Sequence, residues 1–133
     1  RKFIQENGLE NRIVFTGFKH GKELDNLIDR CTCVVCPAIW YENMPNTVIE
    51  AYAHGKPVIA SKIGSLAEIV EDEKTGLLFE MKNSRDLAQK LRRFTENPAL
   101  CELLGRNERK VCEIKNNEKQ HMQKVVDCLK KEE

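Results

Sequence analysis

Short apolar runs alternate along this chain with segments whose apolar positions recur at helical spacing. The runs are Ile13-Val14-Phe15-Thr16, Cys33-Val34-Val35-Cys36, Pro57-Val58-Ile59-Ala60 and Gly76-Leu77-Leu78-Phe79. Each is brief, apolar and bounded by turn residues, and each predicts a strand. The Val and Cys side chains of the second run suit burial on both faces of a sheet. Between the runs, Leu24, Leu27 and Ile28 predict a helix over Lys22–Asp29. A second helix is expected over residues 45–54, with Pro45 in its first turn and Gly55 just past its end. Ser65 is placed to cap a short helix over Leu66–Val70, with Glu68 one turn in. Arg1–Asn7 reads as the tail of a helix stopped at Gly8.

From Ser84 onward the pattern is helical throughout. Ser84 is expected to cap a helix carrying Leu87, Ala88, Leu91 and Phe94, and Asn97-Pro98 to end it and start another with Leu100, Leu103 and Leu104. A last helix over about residues 117–131 would place Met122, Val125, Val126 and Leu129 on one face. Strands alternating with helices predict an α/β domain, a parallel sheet flanked by helices with a helical C-terminal extension.

Composition narrows the function classes. The 133 residues suffice for one domain with a real core but are few for a complete two-substrate enzyme. Lys and Arg number 22 against 21 Asp and Glu, mixed along the chain, which argues against a nucleic-acid partner. No apolar run approaches the roughly 20 residues of a membrane span. The opening Arg1–Asn7 has neither an initiator Met nor the layout of a signal peptide, and reads as the interior of a longer chain. Cys31, Cys33 and Cys36 cluster, while Cys101, Cys112 and Cys128 are scattered. Strand alternation would send Cys31 and Cys33 to one face, and no second ligand pair follows at zinc spacing. The six are read as structural thiols of a reducing, cytoplasmic protein.

In open parallel sheets, ligands bind beyond the carboxyl ends of the strands. Gly17-Phe18-Lys19, Ala38–Met44 and Ser61–Leu66 are loops in that position. The second places Trp40, Tyr41 and Glu42 directly before a helix that carries Glu50. A helix N-terminus offers unpaired N–H groups and a positive dipole end to a diphosphate. Two carboxylates eight residues apart on either side of it can accept hydrogen bonds from sugar hydroxyls. Spacing alone leaves chance open. Trp40 and Tyr41 either line the cleft or pack against the sheet. His54 reads as a helix-end residue suited to the dipole, His20 and His121 as surface residues, and Asp72-Glu73-Lys74 as a solvated turn.

Taken together, Gly17 after a strand, Glu42-Asn43-Met44-Pro45-Asn46-Thr47-Val48-Ile49-Glu50-Ala51, His54-Gly55-Lys56-Pro57-Val58-Ile59-Ala60-Ser61, Gly64, Glu68-Ile69-Val70 and Thr75-Gly76-Leu77-Leu78 resemble one family. It is the family-4 retaining glycosyltransferases (glycosyl transferases group 1), whose GT-B architecture pairs two Rossmann-like domains. The likeness runs over roughly residues 10 to 95. It implies that the chain is part of the C-terminal, nucleotide-sugar-binding domain of such an enzyme. Glu42 and Glu50 match the family's E-x7-E motif. The first implies contact with donor-sugar hydroxyls near the reacting centre, the second with the ribose. The resemblance further implies diphosphate contacts from the amides of Asn46, Thr47 and Val48, and base contacts from Gly17, Phe18 and Lys19. Many relatives have glycine where this chain has Asn43 and Pro45. Pro45 has no N–H, so phosphate contacts are expected to shift to Met44 or to Asn46 and Thr47.

The implied donor is a UDP-, GDP- or ADP-sugar, used without a metal or other cofactor. The acceptor would be a glycan or lipid-linked glycan met through an N-terminal domain not included here, in polysaccharide or cell-envelope assembly. The implied location is cytoplasmic, peripheral at the inner membrane face. The family's basic Gly-Arg and Lys pair, which neutralises the leaving diphosphate, has no match in these residues, so the chain alone is expected to be inactive. A sugar-nucleotide 2-epimerase or phosphorylase on the same fold, and a non-catalytic module of it, remain alternatives. Oligomeric state is left open.

Overall fold

A computed structural model describes residues 1–41, 46–107, 123 and 126–130. In chain order the elements are α1 (Lys2–Glu6), α2 (Gly21–Arg30), β1 (Val34–Cys36), α3 (Asn46–Ala53), β2 (Val58–Ser61), α4 (Gly64–Ile69), β3 (Gly76–Phe79) and α5 (Ser84–Glu96). Residues 98–107 and 126–130 are also helical. The three strands form one parallel sheet in the order β1-β2-β3, with Val34 opposite Val58 and Val58 opposite Gly76. The α/β architecture expected from the alternation is the one observed.

Strand alternation divides the core in two. Val58, Ala60 and Leu78 point to the side of α3 and α4, where they meet Val48, Ala51, Tyr52, Ile63, Leu66 and Val70. Ile59, Leu77 and Phe79 point the other way, onto Phe94 of α5 and onto Cys101 and Leu104. β2 is fully buried because it is paired on both edges and covered on both faces. β1 departs from the expected full burial. Cys33 and Val35 pack on one core and Val34 and Cys36 on the other, but among the described residues the strand has one hydrogen-bonded neighbour, and it stays half-buried.

Ile13–Thr16 corrects the sequence reading more sharply. It is in no strand, and Ile13, Val14 and Phe15 are all exposed. A strand exists only with a partner for its backbone groups, and none of the described residues supplies one. The Arg1 guanidinium lies over the Phe15 ring, 5.2 Å from its centroid.

Smaller corrections concern caps. Asn83, not Ser84, caps α5, its Oδ1 accepting from the Asp86 amide at 3.0 Å. Ser65 lies inside α4, whose N-cap position is Ile63. Asn97 ends α5 as expected and also starts the next helix, Oδ1 accepting from the Leu100 amide at 3.2 Å. Cys31 is not a strand residue: it closes α2, its thiol donating to the Ile28 carbonyl at 3.0 Å, and burial pushes its pKa up. Cys31, Cys33, Cys36, Cys101 and Cys128 are thiols, not disulfides. Val126 and Leu129 are exposed rather than packed. Cys112, His121, Met122 and Val125 lie outside the described residues.

Two motif glycines have packing reasons. Gly55 ends α3 at φ 66°, its amide bonding the Tyr52 carbonyl and the Lys56 amide the Ala51 carbonyl, the paired arrangement of a left-handed helix stop. At Gly76 an added Cβ would stand 2.3 Å from the Val58 carbonyl oxygen. The Thr75 beside it is buried: its hydroxyl accepts from the Glu71 amide at 2.9 Å and meets the Tyr52 hydroxyl at 3.3 Å. No helix among the described residues is long and apolar enough to cross a membrane.

Candidate functional site

The carboxyl ends of the parallel strands, Cys36, Ser61 and Phe79, define one edge of the sheet. The chain leaves β1 there, passes Ile39, Trp40 and Tyr41, and enters α3 at Asn46. All three of those loop side chains are exposed. Tyr41 nevertheless has a fixed neighbour. Its ring lies on Gly64, where an added Cβ would stand 2.6 Å from the ring's Cδ1. Gly64 also has φ 48°, which side chains on a β-carbon rarely adopt. The loops after β1 and β2 therefore meet.

Asn46, Thr47 and Val48 are the first residues of α3 as described. The Val48 side chain is fully buried, which anchors that turn to the sheet while Asn46 and Thr47 stay exposed. Glu50 is exposed one turn below Asn46, on the same stripe of the helix. Four residues further along this stripe stands His54. Its Nδ1 lies 2.6 Å from Asp29 Oδ1 and its Nε2 3.2 Å from Asp25 Oδ1, both on α2. At its carboxyl end this stripe meets α2 through His54.

Gly17, Phe18 and Lys19 precede α2. Gly17 has φ 69°, Phe18 is 90% exposed and its ring stacks on His20 at 5.7 Å. Lys19 pairs with Glu23 in the first turn of α2 at 3.7 Å, which ties this segment to the helix. Asp29 is one residue from the end of α2, and His54 follows the end of α3. The contact therefore joins the carboxyl-terminal parts of the two helices. Trp40, Tyr41 and Asn46–Val48 follow the carboxyl end of β1, with Glu50 one turn into α3, while Gly17–Lys19 precede α2. Glu42 and Met44 lie outside the described residues.

His54 was legible only as a helix-end residue. The signal for its second role is Asp25 and Asp29, four apart on one helix face, but their distance along the chain from His54 hides the pairing. The Asp72–Lys74 turn is likewise more than solvated. Asp72 Oδ1 accepts from the Leu78 amide at 2.9 Å, and Glu73 forms a two-point ion pair with Arg93 of α5, Nη2 to Oε2 at 2.7 Å. A cleft of about 660 Å³ opens at the opposite edge, lined by Cys31, Lys56, Phe94, Cys101 and Arg106 among others. It is remote from the edge where the loops converge.

The family model for glycosyl transferases group 1 matches residues 1–111. The chain belongs to that family. An uncharacterized glycosyltransferase of Methanocaldococcus jannaschii is 35% identical over 105 residues, 79% of this chain and 29% of that protein. Sucrose-phosphate synthase from Thermosynechococcus elongatus superposes with a TM-score of 0.85 at 30% identity, over 96% of this chain and 33% of its own. HepE of Anabaena, solved in complex with UDP-glucose, superposes with a TM-score of 0.85 at 25% identity, over 96% and 35%. The chain thus spans about a third of the length of these group 1 and GT-B relatives. The parallel α/β sheet expected from the motifs is the fold found, and it superposes on part of these GT-B glycosyltransferases.

Proposed function

We propose that this chain is the donor-binding part of the C-terminal domain of a GT-B glycosyltransferase, and that it holds a nucleoside-diphosphate sugar between the Gly17–Lys19 segment and the first turn of α3. The observation that carries the reading is the placement of α3. Its exposed Asn46 and Thr47 follow β1 at the carboxyl edge of a parallel sheet, and Glu50 stands exposed one turn further along the helix. Amides of Asn46, Thr47 and Val48, with the positive end of the helix dipole, suit a diphosphate. Glu50 suits the ribose hydroxyls, which donate to a carboxylate. Gly17, Phe18 and Lys19 suit the base, by backbone groups and by the exposed Phe18 ring. The complex of HepE with UDP-glucose on the same fold supports this donor class.

In the whole protein the reaction is transfer of the glycosyl group to an acceptor hydroxyl with retention of configuration. The C1–O bond to the diphosphate breaks, the acceptor oxygen bonds to C1, and its proton leaves with the nucleotide. Glu42 orients the sugar, Met44 adds an amide to the phosphate, and Trp40 and Tyr41 line the cleft toward the acceptor. Catalysis rests on positioning and on stabilising the departing diphosphate, without a metal. The acceptor is a glycan or lipid-linked glycan, and the setting polysaccharide or cell-envelope synthesis at the cytoplasmic face of the membrane.

Glu50→Ala tests the reading. Loss of both ribose bonds should weaken nucleotide-sugar binding by about 1–3 kcal/mol. Equal affinity in the variant, measured by calorimetry on folded protein, removes Glu50 from the site.

A further inference from the structure

The ring of His54 is held between two carboxylates of a neighbouring helix. Asp25 and Asp29 stand four apart on α2 and so share one face. Each takes one ring nitrogen, Asp29 at 2.6 Å and Asp25 at 3.2 Å. A neutral imidazole carries one N–H and could donate to one of them; only the imidazolium donates to both. The arrangement is therefore built for the charged ring. Asp25 and Asp29 are the charged groups that act on it. On its own helix, Glu50 one turn back offers a backbone carbonyl to the His54 amide at 3.2 Å. Lys56, in the turn that follows, acts on Cys31.

What the clamp joins is specific. α2 begins directly after Gly17–Lys19, and Lys19 is tied to its first turn through Glu23. α3 begins with Asn46–Val48 and carries Glu50 on the stripe that ends at His54. A nucleoside diphosphate reaching from the first segment to the second spans the two helices. The separation of the two helix starts depends on how firmly the helices are joined at their carboxyl-terminal parts.

We infer that His54 is a positioning residue for the nucleotide site: as an imidazolium it locks α2 to α3 and fixes the distance between the base-side and phosphate-side segments, so that nucleotide sugars bind more tightly below the pH at which it loses its proton. This rests on those two segments being the nucleotide site. The hydrogen bond from Asp29 raises the His54 pKa above the ordinary histidine value; partial desolvation opposes it, and the second bond, from Asp25, adds to it. Both bonds of the clamp are therefore made below the ordinary histidine pKa, and one of them is lost as the pH rises through the raised one.

The test is calorimetric titration of the chain with UDP-glucose, whose esterified diphosphate does not titrate in this range, from about pH 5 to about pH 9. In parallel, NMR follows the His54 ring without nucleotide. The wild type should weaken by about fivefold as His54 deprotonates. His54→Gln should be flat at the weaker level. Asp29→Asn should move the midpoint and the NMR titration of His54 to lower pH together. His20→Gln, the other imidazole near the base segment, should keep the wild-type profile. The same pH profile in wild type and His54→Gln overturns the inference, as does a profile that vanishes in His20→Gln. A normal His54 titration with no UDP-glucose binding at any pH defeats instead the nucleotide reading beneath it.

Discussion

The Tyr41 ring rests on Gly64 with no space for a methyl group between them: a Cβ there would stand 2.6 Å from Cδ1. The residues belong to successive strand-end loops, so one contact sets how the β1 loop lies over the start of α4. Gly64→Ala must push the ring aside and hold φ 48° with a β-carbon. The left-handed conformation alone costs about 1–2 kcal/mol. We expect a stability loss of that size in urea titration, with the Tyr41 ring resonances shifted by NMR. A stability equal to wild type would show that the loop has freedom to rearrange.

Gly76→Ala should be worse. Its neighbour at 2.3 Å is the Val58 carbonyl, part of the backbone of the central strand, with Val70 Cγ1 behind it at 2.9 Å. A ring at the surface can swing, but a paired strand cannot. Overpacking of this kind costs about 1–3 kcal/mol, and here the upper end or beyond is expected. Denaturant titration checks it; a loss below that of Gly64→Ala would contradict the distinction between yielding and fixed neighbours.

Glu73 and Arg93 join the turn before β3 to α5. The Arg93 guanidinium, hydrogen-bonded to the carboxylate, lowers the Glu73 pKa below its ordinary value. The contribution is present above the ordinary carboxylate pKa and disappears as the pH falls through the lowered one. Both groups are well exposed, so Glu73→Gln should cost about 0.5 kcal/mol at neutral pH. The gap to wild type should close in acid. A gap independent of pH would mean that the amide substitution is destabilising for a reason other than the lost ion pair.

Much of this was legible in the chain, for identifiable reasons. Val58–Ser61 and Gly76–Phe79 are apolar on both faces because helices cover both, and such runs stand out without knowledge of partners. The Gly55 stop and the Asn97-Pro98 break are local backbone chemistry. Ile13–Thr16 has the same local pattern as a strand, but pairing is a property of two segments and cannot be read from one. The cap of α5 moved by one residue because Asn83 and Ser84 are both competent, and only geometry selects Asn83. At the site, Asn46–Val48 and Glu50 were picked by type and spacing, and α3 carries them just beyond the carboxyl end of β1. The His54 clamp and the seat of Tyr41 on Gly64 were not, since each joins positions far apart in sequence.

The central claim is that a nucleotide sugar binds at the carboxyl edge of the sheet between Gly17–Lys19 and the first turns of α3. Amide NMR shift mapping with UDP-, GDP- and ADP-sugars tests it most directly. We predict saturable shifts centred on Gly17–Lys19 and Asn46–Glu50 with one of the three, which would name the base. Saturable shifts confined to the opposite cleft around Cys31, Lys56 and Arg106, or none with any of the three on folded protein, would contradict it.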